Sequence, residues 1–211
     1  MLQQHRRSFV LTCVAVISLS SCFTGERATL VSEVPIDDPA AQMVLDRLAL
    51  ADSVDFIATY DITPSLTGAT TQATVVQQDG RRRITIGSVD YVTDGNVSRT
   101  CLNNGEECSD YIDDARVSDL NITHSFWGSA FASRLELDAS RRIGPSTNLN
   151  TDIAGQPSVC VDVIVPSVAT ATGTVTYCGL DAGVLGRYFG ADVSIEMTSF
   201  SFQVVPSDFG G

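Results

Sequence analysis

The sequence contains no lysine among its 211 residues: all 13 basic side chains are arginine, set against 25 acids. That absence closes Schiff-base and Ser-Lys chemistry. Positive charge is scarce overall, and a formal charge of −12 repels nucleic-acid phosphates and anionic headgroups, so nucleic acid is not a partner. Histidine is nearly missing too. Of the two, His5 lies in an N-terminal segment that reads as cleaved, which leaves His124 and removes the usual base of a Ser-His-Asp or Cys-His site as well as any multi-histidine metal centre. There is no Gly-x-Ser-x-Gly, no Gly-x-x-x-x-Gly-Lys, no Gly-x-Gly-x-x-Gly and no Cys-x-x-Cys. Carboxylate chemistry alone is left. Asp110, Asp113 and Asp114 cluster, but they lack the Asp-x-Asp-x-Asp-Gly spacing of a calcium loop, and a chain this rich in Asp produces such clusters freely. The expectation is therefore a protein that is not an enzyme and holds no cofactor or metal.

What is present is a globular composition, 44% hydrophobic and 18% charged, in a length that suits one domain. The first residues, Met1 to Arg7, form a basic flank, and an apolar run from Phe9 to Leu19 follows. About a dozen apolar residues fit an export signal and fall short of the roughly 20 needed to cross a bilayer. The run ends in Leu19-Ser20-Ser21-Cys22, which resembles a bacterial lipobox, whose cysteine is acylated before cleavage on its N-terminal side. This implies a signal peptide over 1–21, a lipid anchor on Cys22, a tether over 22–36 and a single domain over 37–211. The protein is then exported and held by acyl chains on the outer face of the cell membrane or on another envelope membrane.

Setting aside Cys13 and Cys22 leaves four cysteines, an even number that reads as two disulfides in an exported chain. Turn chemistry selects the pairing. Asn104-Gly105 is a strong two-residue hairpin signal, and that register sets Cys101 directly opposite Cys108. Val159, Val161, Val163 and Val165 alternate with polar residues, and after a Pro-Ser-Val-Ala-Thr-Ala-Thr-Gly connection Cys178 falls opposite Cys160, on the polar face.

The same period of two runs through Val54, Phe56, Ala58, Tyr60 and Ile62. Asp79-Gly80 predicts a hairpin pairing Val75 with Ile84 and Ala73 with Ile86. Asp94-Gly95 predicts another, with Val92 opposite Val97 and Asp90 opposite Arg99. In the last strand, 193–205, apolar residues change parity between Met197 and Phe200, which requires a bulge near Thr198-Ser199. Helices are expected over 40–51, opened by Asp38-Pro39, and over 125–139, with Phe126, Trp127, Ala130, Phe131 and Leu135 on one side; a third, short and acidic, is expected over 110–120.

This order resembles the LolA-like lipoprotein carriers, including the lipid-carrying lipoproteins of actinobacteria: a lipobox, a tether, a helix (Met43 to Leu48), a strand Val54-Asp55-Phe56-Ile57-Ala58-Thr59-Tyr60, a meander, helices, a two-strand return and a closing strand Phe200-Ser201-Phe202-Gln203-Val204. The resemblance implies an α+β fold, a strongly curved antiparallel sheet forming an open half-barrel with helices packed on its concave face. It also implies a lipid or acyl chain held in an apolar cavity. The lining would come from Phe56, Tyr60, Val75, Ile84, Ile86, Val161, Val163 and Tyr177 on the sheet and from Phe126, Trp127 and Phe131 on the helices. Either those aromatics leave room for a guest, or they fill the concavity and the protein is a sensor or protein-interaction module of the same fold. The alternation of the strands is the same in both cases.

Overall fold

The computed structural model describes residues 37–102, 105–167 and 171–209. The signal peptide, Cys22, the tether and Asn104 lie outside these residues. Strands follow the alternation. In β1 (Phe56–Pro64) every second residue is buried, because successive side chains on a pleated strand point to opposite faces. Next come β2 (Thr71–Gln78), β3 (Arg81–Ile86), β4 (Val89–Asp94), β5 (Val97–Leu102) and β6 (Glu107–Ser109), a meander joined by short turns. A second set follows the helices: β7 (Thr147–Ile153), β8 (Gln156–Ser167), β9 (Ala171–Leu180), β10 (Leu185–Phe189) and β11 (Val193–Ser201). The two sets join where β1 pairs with β11, giving one unclosed 11-stranded antiparallel sheet in the order β6-β5-β4-β3-β2-β1-β11-β10-β9-β8-β7.

Registers follow turn chemistry closely. Val75 faces Ile84 and Ala73 faces Ile86 across the Asp79-Gly80 turn, where both residues have positive φ as a type I′ turn requires. The parity change in β11 is absorbed by one extra residue, Thr198: Thr59 pairs with Ser199 and Tyr60 with Met197. One register differs from expectation. Asp94 is the last residue of β4, and the turn is Gly95-Asn96, so Val92 faces Arg99 and Asp94 faces Val97. The shift of two keeps every side chain on its face but changes the ion pairs. Asp90 is held by Arg83 at 2.9 Å, and Arg99 reaches Asp110 at 3.5 Å instead.

The cystines are Cys101–Cys108, joining β5 to β6, and Cys160–Cys178, joining β8 to β9. Both lie on the face away from the helices, since Cys101 alternates with the inward Thr100 and Cys160 with the inward Val159 and Val161. That face is not uniformly wet: Cys178 is fully buried and Cys160 nearly so, while Cys108 is exposed.

Helix α1 (Pro39–Leu48) begins where Asp38 caps the backbone N–H groups of Ala40 and Ala41 and proline occupies the first turn. The cap is itself buried and fixed by Arg142 at 3.0 Å and by the Ser146 hydroxyl at 2.6 Å, which ties α1 to the start of the second strand set. Helix α2 (Ser129–Ser140) starts later than the helical spacing predicts. Gly128 precedes it against the Ala51 methyl, leaving Phe126 and Trp127 in the turn before the helix. The acidic segment is a 3₁₀ helix, Asp114–Leu120, started by Asp113 and ended by Asn121 in the left-handed region at φ 57°. Leu48, Phe56, Ile84, Phe126, Leu135, Val161 and Tyr188 belong to one core that joins helices and sheet.

Candidate functional site

The eleven residues expected to line a cavity converge on that core. Each is at most 2% exposed. They contact one another: Phe126 sits edge-on to Tyr60 with ring centres 5.0 Å apart, Trp127 tilts against Phe56 at 5.5 Å, and Phe131 lies 6.4 Å from Tyr177. The helices and the turn before α2 thus pack against these sheet side chains.

How the aromatic turn is held follows from its flanks. Asp114, at the start of the 3₁₀ helix, accepts the His124 backbone N–H at 2.6 Å and lies 2.9 Å from His124 Nδ1. The His124 ring packs on Tyr91 at 5.6 Å, and the Tyr91 hydroxyl donates to the Asp113 carbonyl at 3.1 Å. On the far side the Trp127 carbonyl accepts the Leu185 N–H at 2.8 Å. The Arg82 guanidinium lies 4.5 Å over the indole while bonding Gln77 at 2.7 Å and Asp52 at 2.8 Å. The turn is therefore clamped to β4 at its His124 end and to β3 and β10 at its Trp127 end. Among the described residues three buried polar atoms lack a hydrogen-bond partner: the Tyr60 hydroxyl and Trp127 Nε1 in this cluster, and Arg187 Nε.

A second cluster locks α2 to the sheet. Buried Asp138 accepts the Tyr177 hydroxyl at 2.5 Å and Arg141 at 2.6 Å. Arg134 lies 4.7 Å over the Tyr188 ring and pairs with Asp192 at 2.6 Å. Burial, reinforced for Tyr177 by the Asp138 carboxylate, pushes Tyr60, Tyr91, Tyr177 and Tyr188 far above the usual phenol range. Gly190 is required beside this cluster, since a Cβ there would run into the Tyr188 hydroxyl.

Asp110, Asp113 and Asp114 do not converge. Asp110 pairs with Arg99, Asp113 caps the 3₁₀ helix and holds Arg116 at 3.0 Å, and Asp114 holds His124. Among the described residues no group of three or more His, Cys, Asp or Glu side chains is placed to hold a metal ion.

Two surface grooves lie among the described residues. One, about 480 Å³, runs between the 3₁₀ helix and α2, floored by Ile122, Ala130 and Phe131 and rimmed by Asp114 and Arg134. The other, about 460 Å³ and polar, lies beside β7 between Arg47, Asn150, Asp152, Ser158 and Asp181. Sequence reasoning missed the second, because its floor is a strand with no alternation to betray it.

No known protein family's sequence model matches the chain, and no curated protein matches it. Its fold is similar to that in the complex structure of Pseudomonas aeruginosa MucA/MucB, with a TM-score of 0.50 at 16% identity, covering 81% of this chain and 60% of the other. Crystal structures of MucB and of MucB in complex with MucA(peri) match at TM-scores of 0.44 and 0.43 and identities of 14% and 15%, covering 79% and 81% of this chain. The chain thus spans about 60% of the length of these solved structures. The fold shared with the MucA/MucB complex structure is an open antiparallel sheet with helices against one face. Two cystines are those of a chain that folds in an oxidising, extracytoplasmic compartment. Among the described residues no helix is long and apolar enough to cross a membrane.

Proposed function

We propose that this protein is a non-enzymatic, exported binding module of LolA-like fold, anchored to an envelope membrane through acylated Cys22, and that its partner is another protein. The observation that carries this reading is the closure of the inner face: all eleven side chains available to grip an acyl chain are at most 2% exposed and grip one another instead. The likeness to a solved MucA/MucB complex supports a protein partner. Arginine as the sole strong base supports the actinobacterial branch of the fold.

The half-barrel belongs to this reading. A flat sheet of eleven strands would be about 48 Å wide at the usual strand spacing. Helices of 10 and 12 residues, about 15 and 18 Å long, do not cover such a width. Yet Tyr91 on β4 and Val163 on β8 share one core, which a sheet curled around the helices accounts for.

Carriage of a lipid or acyl chain is the second reading. It is favoured by the unpartnered Tyr60 hydroxyl and Trp127 Nε1 in an otherwise apolar interior, donors that a lipid carbonyl would satisfy once the aromatic turn moved aside. Native mass spectrometry of the full chain, extracted in mild detergent after crosslinking in cells, separates the two. A heterodimer free of bound lipid is expected; a stoichiometric lipid without a protein partner would overturn the interaction reading in favour of carriage. Cys22→Ala is expected to move the protein from the membrane fraction to the soluble fraction.

A further inference from the structure

Strand β7 ends the sheet on one side, and its outward backbone edge is open. The direction of its peptide groups follows from β8. Cys160 and Cys178 have Cα atoms 3.9 Å apart, the close spacing of a pair that does not exchange backbone hydrogen bonds. The peptide groups of even-numbered β8 residues therefore point away from β9, toward β7. The Ile164 carbonyl confirms this direction, accepting the Ile143 N–H on that side at 2.8 Å. Leu149, opposite Cys160, and Thr151, opposite Ser158, thus spend their N–H and C=O groups on β8. Asn148, Asn150 and Asp152 turn theirs outward, and among the described residues nothing meets them.

Natural edges are normally blunted by lysine, proline, bulges or brevity. β7 has seven residues, an unshifted register, no proline and a single charge, Asp152, which has no cationic partner among the described residues. Beside it lies the polar groove of about 460 Å³, with room for a long side chain; its Asp181 is paired with Arg47 at 2.8 Å, so the carboxylate there without a cationic partner among the described residues is Asp152.

We propose that the open edge of β7 is a docking site for an extended, arginine- or lysine-bearing segment of a partner protein, which adds as a twelfth strand and places a cationic side chain toward Asp152 and the groove. The inference rests on the interaction-module reading and names its surface. Main-chain pairing would supply affinity and the Asp152 carboxylate specificity. A basic segment is favoured over a second copy of the chain because two molecules of charge −12 repel at this edge.

The test uses the full chain in mild detergent and a synthetic peptide, acetyl-Thr-Arg-Val-Arg-Val-Arg-Val-Arg-Thr-amide, read by hydrogen exchange and titration. In the free protein the Asn148 and Asn150 amides should exchange quickly while those of Leu149 and Thr151 are protected; saturating peptide should slow Asn148 and Asn150 at least about tenfold. Asn150→Pro should keep the melting temperature, since its N–H serves no ladder, yet weaken peptide binding by about tenfold or more. Leu149→Pro should instead melt the β7–β8 hairpin. Methylating alternate peptide nitrogens should weaken binding similarly. Asn148 and Asn150 amides already protected in the free protein, through an N-terminal segment or a dimer seen by sedimentation, would overturn the proposal. So would N-methylated peptide binding unchanged, or protection appearing at the Ile122–Phe131 groove instead. Stoichiometric lipid in the native mass spectrum defeats the interaction reading without touching these amide rates, so the two failures are told apart.

Discussion

The two halves of the sheet, joined at β1 and β11, are covered and terminated differently. The first half ends in β6, three residues long, tied to β5 by the Cys101–Cys108 cystine and surrounded by Glu106, Glu107 and Arg99. Brevity and charge there discourage a further strand. The second half ends in β7, seven residues long and nearly uncharged, while its cystine lies one strand further in, between β8 and β9. Coverage differs as well. The first half is closed by an aromatic turn clamped through Asp114, Arg82 and Leu185, the second by α1 and by α2 with its buried Asp138–Tyr177 contact. One end of the sheet thus carries a short strand flanked by charges, and the other a longer, nearly uncharged one.

The comparison breaks first at the aromatics. Trp127→Ala strips the first half and Phe131→Ala the second; each should cost about 3–5 kcal/mol in denaturant unfolding, as large aromatic truncations in well-packed cores do. A much smaller loss at Trp127 would mean that the turn is not a structural part of the first half. The cystines sharpen it next. Closing a loop of separation 18 restricts the unfolded chain more than one of separation 7, so the Cys160→Ser/Cys178→Ser pair should lose about 3 kcal/mol and Cys101→Ser/Cys108→Ser about 2 kcal/mol. Equal losses would show that native packing, not loop length, sets the difference.

Asp138→Ala should cost about 2 kcal/mol by leaving the buried Tyr177 hydroxyl unpaired and should loosen α2 in hydrogen exchange before β1–β4 respond. The buried tyrosines give a pH dependence shared by both halves. Their folded pKa values lie above the unfolded value, so their contribution is intact below about pH 10 and is lost as pH rises beyond it, by about 1.4 kcal/mol per pH unit for each tyrosine that only the unfolded chain ionises. Ultraviolet titration should show these phenols ionising together with unfolding; ionisation in the folded state would contradict their burial. The smallest effect belongs to the β7–β8 turn, where Ala154 has φ 51°. Ala154→Gly should raise stability by about 1 kcal/mol without altering the edge.

Much of the arrangement is legible in the residues. Asp-Gly at 79–80 sets a register because few dipeptides adopt positive φ twice, and Cys101 faces Cys108 in the register that the Asn-Gly signal predicts. Thr198 is legible as a bulge because a period of two cannot change parity otherwise. β7 is invisible for the opposite reason. Thr-Asn-Leu-Asn-Thr-Asp-Ile buries only its last residue, so no apolar alternation marks it, and its turn uses Ala154 where glycine or asparagine would have signalled. The turn lies one residue beyond the Asp94-Gly95 signal, at Gly95-Asn96, which shifts each pairing partner by two, because Asp94 is held in the strand by its 3.1 Å contact with Arg81. The candidate site divides in the same way. Each of its eleven core positions could be named from periodicity, but their mutual contacts could not.

Local chemistry in the chain determined which residues face inward, where most hairpins turn and which cysteines bond, since all of these depend on neighbours within a few positions. Tertiary structure alone decided that the first and last strands meet at the centre, that Phe126 and Trp127 pack against the inner face ahead of α2, and that β7 ends the sheet. Those outcomes depend on contacts between residues far apart in the chain, and hydrophobic alternation is the same whether the face it describes ends up against a helix, a guest or its own side chains.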